Sequence, residues 1–285
     1  MTQQITKSLN TSQIHQSLAL IESSFQYKKP HHYKDDFYPL YNECFQPGRF
    51  ALTDNDRVVA HLGYCLRELQ INSHSFKVAF IGGIAVDQNE RGKGYFKKIF
   101  EEALKQLTKQ VDFLLLWSGD NALYEKFGFL QCGSIYQIGT KDNFSAPFKA
   151  KELCTRDLEQ MRELYDSSWP NRVLRTPEQW QSLIHMPSVD LYIERENSII
   201  TSYAIKNKGF DLQGVVHEFA ARDLEAFIKK FRDSVIWSPK KFEVPIQAKL
   251  WLAMAKAGDT WDESLGTLQS YLNSNEIMIS GIDSV

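Results

Sequence analysis

The sequence predicts an α/β protein of two domains, each a central mixed, mostly antiparallel sheet flanked by helices. Three observations lead there. From Phe76 to Leu107 a strand apolar on both faces passes through a glycine loop into an amphipathic helix without a gap. Ahead of it, short polar turns separate apolar runs, the pattern of an antiparallel meander. A chain of 285 residues exceeds one small core, and the composition shifts at Lys141-Asp142-Asn143-Phe144-Ser145-Ala146-Pro147, placing the domains at residues 1–145 and 150–285.

Taken in order, Thr11 to Phe25 reads as a helix with Ile14, Leu18 and Ile21 on one stripe and Thr11 or Ser12 as cap. A second helix is predicted over Tyr33 to Phe45, with Pro39 tolerable only in its first turn. Strands follow at Phe50-Ala51-Leu52 and Val58 to Leu66 around Asp54-Asn55-Asp56. Asn72 to Ser75 then turns the chain into the central strand, where Val78, Phe80, Ile84 and Val86 should share one face and Ala79, Ile81 and Ala85 the other. Within it, Gly82-Gly83 suggests a bulge or a close backbone approach, against a plain packing gap. Phe96, Ile99, Phe100, Ala103, Leu104 and Leu107 give the next helix its inward face. Val111 to Ser118 is an apolar strand, and Leu130 to Lys141 offers one more.

The second half repeats this order more weakly. Helices are predicted around Leu158–Tyr165 and from Thr176, a hairpin at Asp190–Ile205 around Glu196-Asn197, a strand at Val215–Ala220, a helix at Asp223–Phe231, and a closing strand at Ile277–Asp283. Only Ala221-Arg222 separates that inner strand from its helix. No glycine stands there to open a phosphate cradle.

In the first half, Arg91-Gly92-Lys93-Gly94 places two flexible residues, two cations and free backbone N–H groups at a positive helix N-terminus, which suits phosphates. The spacing excludes two nucleotide loops: no Gly-Lys-Ser/Thr follows at the Walker interval, and Lys97 stands where the third glycine of GxGxxG belongs. What Val86 to Phe96 resembles is the pyrophosphate-binding motif of the GNAT acetyltransferase superfamily, with Phe96 in place of that motif's closing Gly or Ala. Downstream, Asn121 to Phe129 resembles the same family's short helix and its LYxKxGF ending, with Trp117 where the family usually has Asn.

The resemblance implies acetyl-CoA as cosubstrate, held by Arg91, Gly92, Lys93, Gly94, Tyr95 and Phe96 and by the backbone of Ile84, Ala85 and Val86 near a splayed strand end. It also implies Tyr124 as the acid that protonates the leaving thiolate, since a phenol of reference pKa about 10 suits that task. Tyr124 and Phe127 read alone are a packed aromatic pair. For the base, Glu68, His61, Asp120 and water stay unranked, and His61 also reads as a hydrogen-bonded core histidine. The second half, by this resemblance, is a degenerate, non-catalytic GNAT-like domain. The activity implied is N-acetyltransfer to a primary amine of a small molecule or peptide. The alternative is an acyl-CoA-binding regulator whose chemistry has lapsed.

Composition narrows the partners. With 43% hydrophobic and 24% charged residues and a net charge of −2, nothing points to nucleic acid. No apolar run approaches the roughly 20 residues that span a bilayer, and no signal peptide is evident. Four cysteines without paired spacing suit a reducing cytoplasm and no metal site. His31-His32 on a Pro-bounded loop lack a third ligand and read as exposed loop residues. A cytoplasmic monomer or homodimer is expected.

Overall fold

The structure, a computed structural model, describes residues 3–141, 148–209 and 211–285, so the expected boundary at 142–147 lies outside the described residues. The first half runs β1 (Gln3–Thr6), α1 (Thr11–Ser24), α2 (Tyr33–Asp36), β2 (Pro47–Asp54), β3 (Arg57–Ile71), β4 (His74–Val86), α3 (Tyr95–Leu107), β5 (Phe113–Leu116), α4 (Asn121–Glu125), β6 (Leu130–Cys132) and β7 (Ile135–Ile138). The second runs β8 (Phe148–Lys149), α5 (Thr155–Ser168), β9 (Arg172–Leu174), α6 (Pro177–Gln181), β10 (Asp190–Glu196), β11 (Ile199–Lys206), β12 (Val216–Ala221), α7 (Leu224–Lys230), β13 (Ile236–Ser238), β14 (Ile246–Leu250), β15 (Ala253–Ala257) and α8 (Leu268–Asn273).

Two mixed, mostly antiparallel sheets result. The first has the order β1-β2-β3-β4-β5-β15-β6, with β9 also on β3, and the second β14-β7-β13-β12-β11-β10-β8. In each, an antiparallel meander ends in a helical crossover to a parallel neighbour: β4 to β5 through α3, and β12 to β13 through α7. The next strand in each sheet comes from the other half of the chain, β15 beside β5 and β7 beside β13. Gly133, at φ +64°, turns the chain between β6 and β7, so the single strand expected over Leu130 to Lys141 is two, in different sheets.

Local chemistry accounts for most elements. Asn10 caps α1 through a reciprocal box with Gln13, one residue before the caps expected. The hairpins of both halves turn on paired left-handed residues, Asn55-Asp56, Asn72-Ser73 and Asn197-Ser198, as type I′ geometry requires. The second predicted helix breaks: α2 ends at Asp36, and Tyr38–Tyr41 and Glu43–Phe45 form separate 3₁₀ turns. Pro39 explains this, because it lacks an N–H and restricts the residue before it. The strand expected at Ile277–Asp283 also fails to form. That segment is irregular, with a single bridge between Met278 and Arg172, and β15 takes its place as the late strand of a sheet.

The central strand corrects one expectation in an informative way. Val78 and Phe80 pack on one side of the first sheet and Ala79 and Ile81 on the other, as expected. Beyond Gly83 the sides exchange: Ala85 joins Val78 and Phe80, while Ile84 and Val86 join Ala79 and Ile81. A bulge does this. His61 pairs with Ala85 and Gly63 with Gly82, so Gly83 and Ile84 oppose Leu62 alone, and the alternation shifts by one.

Candidate active site

The site forms where β4 and β5 part. Their parallel pairing ends at Ile81 and Leu116, while β4 continues to Val86 paired only with β3. Ile84, Ala85 and Val86 therefore keep one backbone edge unpaired in the sheet. Gly83, at φ +57°, makes the bulge, and His61 Nδ1 holds its carbonyl at 2.8 Å. His61 is 2% exposed, its Nε2 has no partner among the described residues, and burial pushes its pKa down to about 4. Its place is thus to pin the bulge, with its ring buried away from the cavity.

Below this edge the chain enters the glycine loop. Gly92 and Gly94 have φ of +82° and +78°, and a Cβ added to either would meet nothing within 4 Å. Internal packing does not require glycine there; the backbone conformation does, and the space above it is open. Gly94 is the N-cap of α3 with no side-chain hydrogen bond, so the first N–H groups of this 13-residue helix stay uncapped. Lys93 pairs with Glu90 at 2.6 Å, and Arg57 holds Glu90 and Asp87 at 2.5 and 2.8 Å. Lys93 and Arg57 keep the Glu90 carboxyl below its usual range. Arg91 is exposed and makes no ion pair with the described residues.

Two of the expected loop residues turn inward. Tyr95 is buried, and its hydroxyl accepts from Gln3 of β1 at 2.6 Å, so only its backbone faces the loop. The Phe96 ring stacks on Phe100 and meets Tyr124 and Phe127 edge-on at 5.9 and 5.8 Å. Phe96 therefore joins the loop helix to α4 and seats the tyrosine.

Tyr124 reaches the same cavity as the strand edge. It is 8% exposed, and burial first and the Asp120 carboxylate second push its pKa up to about 12, offset in part by a hydrogen bond with Ser118. Asp120 caps α4 by accepting from Leu123 N–H, beside that phenol. Glu68 lies on the exposed outer part of β3, engaged by Ser75, and does not line the cavity. Trp117 gives its indole N–H to the Leu252 carbonyl at 2.8 Å and so ties β5 to β15.

The cavity itself measures about 520 Å³ and runs from Ile81–Ile84, Ser118 and Tyr124 into the second half. Sequence reasoning missed that far wall, including Lys208, His217, Trp237, Trp251 and the segment from Ile277 to Val285. Only Gly82 hinted at it: a Cβ there would lie 2.1 Å from the Val285 main chain. That segment is fastened by a buried ionic cluster. Asp283 accepts from Arg67 at 2.6 Å and from Arg175 at 2.6 and 2.9 Å, and Arg175 also grips Glu218 at 2.6 Å. His31 and His32 lie 4.0 and 3.6 Å from Asp36 and Glu22 respectively.

The other crossover lacks these features. The α7 N-terminus is closed by Asp223, which accepts from Ala226 N–H, and the helix has only 7 residues. A carboxylate already sits where an anion would bind.

Residues 6–132 match the family of acetyltransferase (GNAT) domains. No curated protein matches the chain. Among solved structures, a probable N-acyltransferase from Enterococcus faecalis aligns with a TM-score of 0.66 at 15% identity, covering 91% of this chain and 73% of that one. Eis1 from Mycobacterium abscessus gives 0.60 at 12%, covering 90% and 73%. Saccharomyces cerevisiae N-myristoyltransferase with bound myristoyl-CoA gives 0.57 at 11%, covering 97% and 89%. At such identities these structures share the fold. No helix among the described residues is long and apolar enough to cross a membrane.

Proposed function

We propose, on the premise that residues 6–132 match the family of acetyltransferase (GNAT) domains, that the chain moves an acetyl group from acetyl-CoA directly to a primary amine. One observation carries the reading: Ile84, where the unpaired edge of β4 begins beyond the Gly83 bulge, and Tyr124 border one cavity. Acetyl-CoA supplies the acyl group already activated as a thioester. Arg91 and Lys93 offer cations, and Gly94, Tyr95 and Phe96 offer backbone N–H groups, to its pyrophosphate. Ile84, Ala85 and Val86 offer backbone partners to its amide arm and a donor to the oxygen on which charge develops.

Tyr124 is assigned the leaving sulfur. Its raised pKa keeps the phenol protonated at neutral pH. Full transfer to the thiolate of a free thiol, whose ordinary pKa is about 8.5, would run uphill by roughly 4–5 kcal/mol. The phenol therefore acts as a hydrogen-bond donor while charge gathers on sulfur, and the proton that finally stays there is the one the attacking amine loses. Residues 150–285 are assigned no cofactor site, in keeping with the closed N-terminus of α7.

Thiol release from acetyl-CoA, measured with a panel of amines, tests the proposal. Amine-dependent release is expected. CoA binding without turnover on any amine would leave a binding protein, and absence of CoA binding would remove both readings.

A further inference from the structure

The far wall of the cavity narrows the acceptor. Among the described residues, five large hydrophobic side chains are exposed, and two of them, Phe25 and Trp251, stand at this cavity from opposite halves of the chain. Aromatic groups left in water at a cavity mouth invite a flat apolar ligand. Trp237 presents its ring to the cavity while its indole N–H is spent on Gln137 Oε1 at 3.2 Å.

The charged groups of the wall point the same way. Lys208 is 1% exposed, gives two hydrogen bonds to Ser284 at 2.7 and 3.1 Å, and lies 3.9 Å over the Phe37 ring. Burial pushes its pKa down to about 7. His217 is engaged on both nitrogens, by Ser280 and by the Asn207 carbonyl, and burial keeps it neutral. Asp211 is exposed at the rim and makes no hydrogen bond with the described residues. Asp211 feels the charge of the buried Lys208 yet keeps its oxygens clear of hydrogen bonds with the described residues, so one rim carboxylate beside aromatic walls matches one ammonium on an apolar body; a polycation would find too few partners, and a polyhydroxylated body too few hydrogen bonds.

We propose that the acceptor is a monoamine carried on an aromatic body, held between Phe25 and Trp251 with its ammonium drawn in past Asp211. This rests on the acetyltransferase reading above. The test compares 2-phenylethylamine and tryptamine with spermidine, an aminoglycoside and a glycyl tetrapeptide, using the full chain and acetyl-CoA. The aryl amines should give kcat/KM at least about tenfold above the rest. Trp251→Ala and Phe25→Ala, both at exposed positions, should raise KM for tryptamine about tenfold with kcat within a few-fold and CoA titration unchanged. Preference for spermidine or the aminoglycoside, or an unchanged KM in both variants, overturns the proposal. Should no amine turn over, calorimetric titration of tryptamine into the CoA-saturated protein separates the two failures: binding that Trp251→Ala weakens leaves an aryl-ammonium site but sinks the catalytic reading and the acceptor role with it, and no binding sinks the site as well.

Discussion

Asp283→Asn should cost about 2–3 kcal/mol of stability. The carboxylate is 1% exposed and lies in a cluster that holds two guanidinium groups and two carboxylates, so the substitution leaves a net buried positive charge. Arg175 keeps Glu218, but Arg67, fully buried, loses the one ion-pair partner it has among the described residues. At an effective dielectric of about 20, a contact pair some 4 Å between charge centres is worth roughly 4 kcal/mol. The remaining amide oxygen recovers about 1–2 kcal/mol as an acceptor for a charged donor. Urea unfolding should show the loss, with a Tm lower by roughly 5–10 °C. Arg67→Met combined with Asp283→Asn removes the stranded charge and should recover at least about 1 kcal/mol relative to the sum of the single changes. The pH dependence has a definite sign. Burial tends to raise the Asp283 pKa, yet Arg175 and Arg67 outweigh it and hold the group below the usual range. Its stabilisation is therefore full above about pH 4 and fades as pH falls through the folded value, so parent and variant should converge in acid. Equal stability at pH 7, or no coupling in the double variant, would refute the argument.

Gly94→Val forces a β-branched residue to φ +78° and fills the open space above the loop, so CoA affinity should fall at least about a hundredfold. Arg91→Ala removes one exposed cation and should weaken it by a smaller factor, roughly tenfold; thermal-shift titration with CoA reads both, and parental binding in the pair would void the loop assignment. Tyr124→Phe keeps the ring contacts with Phe96 and Phe100 while removing the donor, so CoA binding should hold and single-turnover acetyl transfer, followed by rapid quench, should slow by roughly 10²–10³. Chemistry within a few-fold of the parent would return Tyr124 to the packed aromatic pair.

What the sequence disclosed was local. The glycine loop at Arg91–Gly94 and the turn pairs at Asn55, Asn72 and Asn197 depend on backbone conformations that few residues adopt, so the residue types reveal them. The bulge was legible as Gly82-Gly83, but its effect on Ile84, Ala85 and Val86 was not, because alternation is read one residue at a time and a bulge resets it. Sheet membership was least legible. Ile135–Ile138 and Ala253–Ala257 are short apolar strands whose period names no partner, and their exchange between sheets is decided by contacts far along the chain. Arg67 and Asp283 are likewise 216 positions apart, and neither stands in a motif.

That exchange bears on the role of the second half. Its own crossover carries a helix whose N-terminus is closed by Asp223. Yet β15 supplies the neighbour that β5 uses beyond β4, Leu252 takes the Trp117 indole N–H, and the segment from Ile277 to Val285 forms cavity wall against Gly82. The ionic cluster joins β3 of the first sheet to β12 of the second through that same segment. A break in the cluster should therefore disturb the far wall of the cavity while leaving Gly92 and Gly94, in the loop beyond the end of β4, as they are. Asp283→Asn assayed at a temperature where it stays folded should raise the amine KM more than it weakens CoA. Equal effects on the two would mean that the second half stabilises the fold without shaping the wall.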